Sequence, residues 1–421
     1  MHRFRTLALE VVLALAPTLY GRYMGKGRGG AMPPLSPGST RPPCGMVLVI
    51  DHDFPEPDRD AGSRAIASFI GLIQDCGYPV TVWVASTSSS ELGRRQLVEK
   101  GVQCVTRSET GGLDEWLALS NPTQMFACVL SRPLIAAMHL PTVRRHFHGT
   151  CLYYGHDIHY RRLQAMATTC RPTARARWEM WMLRRVEHRL WRDADVILYP
   201  STEEVDHVRQ WLDAHGMHAV VEAFPLWTFK HTKVDIAPSE RRAGLLFVGS
   251  MAHAPNVDGL DWFISEVMPK LEPLGSAAQL RIVGSGMEAY APPRADLPVT
   301  VMGRVDDASL GQCYASARAV VAPLRFGGGV KGKVVEAIAH GVPVVMTPVG
   351  AQGLDGIERL LPVTDDAVKF ASEISRFLLD DAAWLAASIS ARALLAERFD
   401  HARVQAHLAK LLDSKGNPPA D

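Results

Sequence analysis

Residues 319–346 constrain the fold more than any other stretch of this 421-residue chain. Ala319 to Ala322 (AVVA) is a short, wholly apolar run, as expected of a strand buried on both faces. Gly327, Gly328 and Gly329 follow, a loop in which the backbone turns sharply or comes close to something. Lys331 to Ala339 then has helical spacing, with Val334, Val335, Ile338 and Ala339 on its packing side. Gly341 ends it, and Pro343 to Met346 (PVVM) starts the next strand. A strand, a glycine loop and a helix opening make an anion site, because the first helical N–H groups have no partner within the helix and its dipole favours negative charge there. Lys331 and Lys333 add cations to the same turn. Glu336, one turn on, is placed to accept bonds from sugar hydroxyls. Together these features suggest a nucleotide-sugar ligand.

The length exceeds what one core ordinarily fills, so two domains are expected. A net charge of +1 argues against a nucleic-acid partner, since such domains carry a strong basic excess. The seven cysteines are odd in number and form no C-x-x-C pair, a pattern that fits reduced thiols and a cytoplasmic protein. Leu7 to Ala16 is too short to span a bilayer, and Glu10 within it speaks against a signal peptide. Tyr20 to Pro43 reads as a flexible linker, so residues 1–45 form an N-terminal extension.

From Met46 onward, apolar runs alternate with helical stretches. Strands are expected at 46–50, 80–84, 102–105, 125–130, 150–154 and 196–199. Helices are expected at 62–75, 89–100, near 133–145 and from about 173 to 192. The pattern weakens between Val221 and Arg242, where the interdomain linker is placed. A second series has strands at 245–248, 280–283, 299–302 and 319–322, and helices at 257–271, 309–316, 366–379, 382–398 and 401–412. The expected fold is α/β, with two Rossmann-like domains facing across a cleft. Residues 46–235 make the first domain, 243–395 the second, and 396–421 a terminal helix and tail.

At this point the chain resembles the GT-B-fold retaining glycosyltransferases of family 4, the glycosyl transferases group 1. The resemblance is carried by FVGSMAHAPNVDGLDWFISEVMP (247–269), RIVGSG (281–286), MGRV (302–305) and GGGVKGKVVEAIAHGVPVVMTPVGAQGL (327–354), with looser matches at 47–66 and 153–162. It implies a nucleotide-diphosphate sugar as donor, no metal or other cofactor, and a glycan, lipid-linked or small-molecule acceptor, as in polysaccharide biosynthesis. Glu336 matches the last Glu of the family's E-x7-E motif, which binds the donor ribose. Lys333 and the N–H groups of Gly328, Gly329, Val330 and Lys331, beside Gly327, would hold the diphosphate, with Gly249 and Ser250 against it. Arg304 and Val305 would sit by the nucleobase. His156 would contact the transferred sugar or the β-phosphate. Gly62, Asp157 and Arg161 belong to the acceptor-facing loops of the first domain. His156, Lys333 and Glu336 are the expected catalytic residues. The sequence departs from the family at Gly328, where the first Glu of the motif falls, at Ser250 and His253, where an Arg and Lys pair is widespread, and at Gln352, where many relatives carry Glu.

Four further patterns need a reading. Asp51-His52-Asp53 is a D-x-D, which binds a metal-diphosphate in other sugar transferases. At the end of the first strand of an open α/β domain it is expected to bind none. His146 and His148 lack a third ligand at useful spacing and read as a solvated helix end. Gly284-Ser285-Gly286 follows a strand, but Pro292 and Pro293 cut off any long helix, so a turn is expected. Residues 171–192 hold seven Arg and two Glu around Trp178 and Trp181. They are expected to form a packed helix with an Arg-rich outer face, the alternative being peripheral contact with the inner membrane surface. Two other functions are compatible with the same motifs: a nucleotide-sugar epimerase, and a non-catalytic partner of this fold.

Overall fold

The computed structural model describes residues 45–57, 61–120, 125–169, 172–229 and 242–413. The readings of Leu7–Ala16 and Tyr20–Pro43 lie outside the described residues, as do Cys44 and Cys170. The chain divides into two compact units, one holding the described residues up to Trp227 and those from Ala402 onward, the other running from Thr228 to His401.

The first unit contains β1 (Met46–Asp51), α1 (Ala61–Asp75), β2 (Val80–Val84), α2 (Glu91–Glu99), β3 (Gln103–Thr106), α3 (Leu113–Leu119), β4 (Met125–Ser131), α4 (Pro133–His146), β5 (Thr150–Tyr154), α5 (His159–Thr169), α6 (Ala174–Asp193), β6 (Val196–Tyr199), α7 (Thr202–Ala214) and β7 (Val220–Ala223). The strands form one parallel sheet in the order β3-β2-β1-β4-β5-β6-β7. Both faces are covered, which is why the central strands β1, β2, β4, β5 and β6 are mostly apolar and almost wholly buried. Val47 and Val49 of β1 pack with Ile66 and Phe69 of α1. Leu48 and Ile50, pointing the other way, pack with Leu140 and Val143 of α4. Four elements escape the sequence pattern, among them the short helix α3. Helix α5 is mostly polar, helix α7 follows a strand with no glycine to mark the turn, and β7 lies where the linker was placed. β7 is an edge strand whose Val220 and Ala223 are exposed, so it lacks the apolar run of the central strands.

The second unit contains β8 (Leu245–Val248), α8 (Ala254–Trp262), β9 (Leu280–Val283), β10 (Val299–Gly303), α9 (Asp307–Ser316), β11 (Ala319–Ala322), α10 (Gly332–Ala339), β12 (Val344–Met346), α11 (Ala367–Leu379) and α12 (Asp381–Phe399). Its sheet is parallel in the order β10-β9-β8-β11-β12. The single helix expected over 257–271 is instead three pieces. After α8 comes one wide π turn, Phe263–Val267, then 3-10 turns from Met268 to Ala278 with a break at Gly275 (φ 52°). Pro269 and Pro273 supply no N–H, so a regular α ladder cannot continue through them. The last helix, α13 (His401–Leu412), returns to the first unit, where Val404, Leu408, Leu411 and Leu412 join the core around Phe224 and Leu226. Two parallel α/β domains in tandem, the class read from the alternation, are what the chain forms.

In each sheet the chain winds outward to one side and then returns to the other. The reversal falls between β1 and β4 in the first sheet and between β8 and β11 in the second. Ligands of open α/β sheets bind outside the carboxyl ends of the strands at such points.

Candidate functional site

The second unit brings most of the expected donor residues to its β8/β11 switch point. Gly249 and Ser250 follow β8, and residues 327–333 lead from β11 into α10. Gly249 is packed so closely that an added Cβ would lie 2.7 Å from Nδ2 of Asn256 and 2.9 Å from Nζ of Lys333. The backbone of Gly249 is pressed from the other side by Gly284, where a Cβ would fall on the Gly249 carbonyl oxygen. Gly249 N–H also bonds to Val283 O (2.9 Å), and Met251 N–H to Ser285 O (2.9 Å). The Gly284-Ser285-Gly286 stretch is therefore the turn expected from its prolines, and it braces the β8 loop.

The two lysines part company. The Lys331 ammonium donates to the carbonyls of Gly328 (2.8 Å) and Gly329 (2.6 Å) and to Oε1 of Gln352 (3.2 Å). It is buried and turned back on its own loop. Those two carbonyls point at Lys331, and both peptide bonds are trans, so the N–H groups of Gly329 and Val330 point the opposite way. Gly327 (φ 139°) and Gly329 (φ 68°) supply the backbone angles this needs. Helix α10 then opens at Lys331 with no side-chain cap. Gly328, at the position of the family's first Glu, is half-buried within the stapled loop.

Lys333 takes a different direction. Its Nζ donates to Oδ1 of Asn256 (2.7 Å) and lies 4.2 Å from the centre of the Phe247 ring. Asn256 in turn donates from Nδ2 to the Ser250 carbonyl (2.8 Å). Burial pushes the Lys333 ammonium down to about 7, with Lys331 adding to the effect and Glu336 opposing it. Glu336, one turn on, accepts a bond from the Tyr314 hydroxyl (3.1 Å). Tyr314 is itself fixed by stacking on His340, 4.9 Å away and 9° from parallel. Arg304 is exposed and Val305 half-buried just beyond Gly303, at the end of the outermost strand, two strands from the switch point. The pattern of residues gave no signal for Asn256, Phe247 or Tyr314, because each acts through a partner distant in sequence.

In the first unit, His156 lies beyond the carboxyl end of β5. Its Nε2 is 3.4 Å from the Ser131 hydroxyl, and its ring meets Tyr154 edge-on at 5.2 Å. Gly155 before it presses on Tyr199, whose ring a Cβ would strike at 2.4 Å. The residues after His156 are tied into the fold. Asp157 is buried and accepts from Arg162 (2.7 Å). Glu187, fully buried, accepts from the N–H groups of His159 (2.9 Å) and Tyr160 (3.1 Å) and so caps α5 from a distance. Glu204 accepts from Ile158 N–H (3.1 Å) and the Ser201 hydroxyl (2.7 Å). Arg161 pairs with Glu203 at the surface (3.0 Å). Gly62 lies half-buried in the first turn of α1.

The D-x-D aspartates serve separate partners. Buried Asp51 pairs with Arg132 (2.8 Å), and Asp53 accepts from the N–H groups of Phe54 (2.8 Å) and Ser90 (2.8 Å). His146 bonds to Asp114 (2.7 Å). Among the described residues no group of three or more His, Cys, Asp or Glu is placed to hold a metal ion. None of their helices is long and apolar enough to cross a membrane.

Comparison with known proteins gives these placements a context. Residues 242–380 match the model of the glycosyl transferases group 1. A curated relative, an uncharacterized 44.6 kDa protein in the cps region of Klebsiella pneumoniae, is 23% identical over 228 residues, which are 51% of this chain and 55% of that protein. The chain thus aligns with little more than half the length of that relative. Sucrose-phosphate synthase from Thermosynechococcus elongatus superposes with a TM-score of 0.61 at 16% identity, covering 88% of this chain and 99% of the other. HepE of Anabaena in complex with UDP-glucose gives 0.62 at 15%, covering 88% and 100%. The pneumococcal O-GlcNAc transferase GtfA in complex with UDP and GlcNAc gives 0.64 at 11%, covering 88% and 99%. The chain carries a glycosyl transferases group 1 domain over residues 242–380, within the two-domain α/β GT-B fold of these solved structures.

Proposed function

We propose that the chain is a retaining, metal-independent glycosyltransferase of family 4. It moves a hexosyl group from a nucleotide-diphosphate sugar to a glycan, lipid-linked or small-molecule acceptor, in the cytoplasm and in the service of polysaccharide biosynthesis. The observation that carries this reading is the Gly249, Lys333 and α10 arrangement at the β8/β11 switch point. There, backbone amides, a helix opening and the half-buried Lys333 ammonium converge where a leaving diphosphate gains charge. UDP in the HepE and GtfA complexes supports a uridine donor. The amides of Gly329 and Val330 and the Lys333 ammonium stabilise the leaving group, a preorganised contribution that costs no rearrangement during reaction. Glu336, aligned by Tyr314, binds the ribose hydroxyls. The acceptor adds on the face the diphosphate leaves, and a diphosphate oxygen takes the acceptor's proton. His156 is the catalytic residue that the first unit supplies, and Gly62, Asp157 and Arg161 belong to its acceptor-facing loops. The Arg-rich face of α6, with Trp178 and Trp181 exposed, is the surface for peripheral contact with an anionic membrane.

A thermal-shift panel of UDP, GDP and dTDP tests the donor assignment. Saturation at a hundred times Kd adds about 2.7 kcal/mol, so a rise of several degrees is expected for one of them. Lys333→Ala and Glu336→Ala should each remove most of that rise. A panel in which none of the three moves the transition contradicts the reading. Conversion of donor with no acceptor present would replace transfer with epimerisation.

A further inference from the structure

Lys333 is held by a residue that neither the glycine loop nor the E-x7-E spacing points to. We propose that Asn256 is the positioning residue of the donor site, its side-chain amide tying the Lys333 ammonium to the Gly249–Ser250 loop so that the cation meets the diphosphate in one orientation. The proposal rests on the donor reading above. Its physical basis is a chain of three contacts. Asn256 is buried in the first turn of α8. Its Oδ1 accepts from Lys333 Nζ at 2.7 Å, and its Nδ2 donates to Ser250 O at 2.8 Å. Both ends of the amide are used, which fixes its orientation without ambiguity between oxygen and nitrogen. The Phe247 ring face supports the cation from β8 at 4.2 Å. Both partners lie close against Gly249, where an added Cβ would come within 3 Å of each.

This latch has a functional consequence. Lysine is a flexible side chain that loses rotamer entropy when it is ordered, and a preset ammonium loses less of it on binding anion. The charged groups acting on Lys333 are Lys331 and Glu336, of opposite sign, and burial holds its protonation near neutrality. A diphosphate favours the ammonium form, so binding above pH 7 must take up a proton. Asn256 accepts a bond from that ammonium and thereby favours it. UDP affinity should therefore fall by roughly tenfold per pH unit above about 7. In Asn256→Ala the fall should begin at lower pH, with an additional loss on the order of tenfold at pH 8. In Asn256→Asp, where a carboxylate meets Nζ, it should begin at higher pH.

The test is UDP affinity between pH 6 and 9 for the wild type, Asn256→Ala, Asn256→Asp, Lys333→Met and the Asn256→Ala/Lys333→Met double variant. If Asn256 acts through Lys333, the double variant matches Lys333→Met alone and both are independent of pH. An Asn256→Ala profile that keeps the wild-type onset overturns the proposal. So does an equal loss in the Lys333→Met background, which would mark Asn256 as merely structural. Competitive amine labelling of Lys333 without nucleotide reads the same coupling separately. A midpoint unmoved by Asn256→Ala overturns it. A midpoint that moves in a protein that binds no UDP leaves the coupling standing and overturns the donor reading instead.

Discussion

Lys331 and Lys333 are two residues apart and do different things. The first sits under its own loop and aims two peptide groups; the second reaches across to another helix. Sequence spacing gave both the same role, because charge and position are visible in a sequence and direction is not. The same limit applies to the run from His156 to Arg162 (HDIHYRR). Asp157 holds Arg162, and the first turn of α5 is capped by Glu187 from a helix 27 residues or more away. A buried carboxylate in this network also makes a testable contribution to stability. Burial raises Glu204 to about 7, against the bonds from Ser201 and Ile158 and with Asp157 adding to the rise. An acid raised in the folded state favours its protonated form. Its contribution is thus full below about 4.5 and lost as pH rises through about 7. The shift corresponds to roughly 3 kcal/mol. Urea unfolding of Glu204→Gln should lack this dependence, so the wild type should gain on the variant by that order between pH 8 and pH 5. Parallel stability profiles would show that Glu204 is charged throughout.

Among elements, the central strands and the two long terminal helices could be read from apolar periodicity, because burial on both faces leaves a continuous apolar run. The edge strand β7, the polar helix α5 and the broken 263–278 segment could not. An edge position needs fewer apolar residues, and proline effects on a helix ladder depend on what packs against it. Helix α6 shows both of its expected faces at once. Met182, Val186, Leu190 and Trp191 are buried, while Trp178 and Trp181 are 38% and 48% exposed. Arg185 lies over the Trp181 ring at 4.1 Å, and Arg175, Arg177 and Arg184 are exposed around it. Tryptophan among arginines suits the headgroup region of an anionic bilayer, at about 1 kcal/mol per basic residue. Sedimentation with phosphatidylglycerol vesicles should show binding that weakens with salt. Arg184→Glu/Arg185→Glu should lower it by tenfold or more. Equal binding to neutral phosphatidylcholine vesicles, or none to either, would rule out this use of the face.

At the scale of the molecule, two sheets of the same winding make one chain, and the terminal helix closes the first unit with residues from the far end of the sequence. The alternation alone was enough to predict the class, and the glycine loop was legible as an anion site between a strand and a helix; that it lies where the strand order reverses came only from the sheet topology. What the sequence did not carry is the arrangement that gives the loop its chemistry: Gly284 against Gly249, Asn256 against Lys333, Tyr314 against Glu336. These are contacts between elements, and no local pattern encodes them. The first two meet at Gly249, whose missing side chain lets Asn256, Lys333 and Gly284 come close to its backbone. Calorimetric titration of UDP into the full chain and into Gly249→Val is the most direct test. The wild type should bind, and the variant, with an unchanged far-ultraviolet spectrum, should bind at least tenfold more weakly, because its side chain would displace Asn256 and Lys333. A wild type that takes up no UDP, or a variant that binds it equally well, would contradict a diphosphate site between β8 and β11.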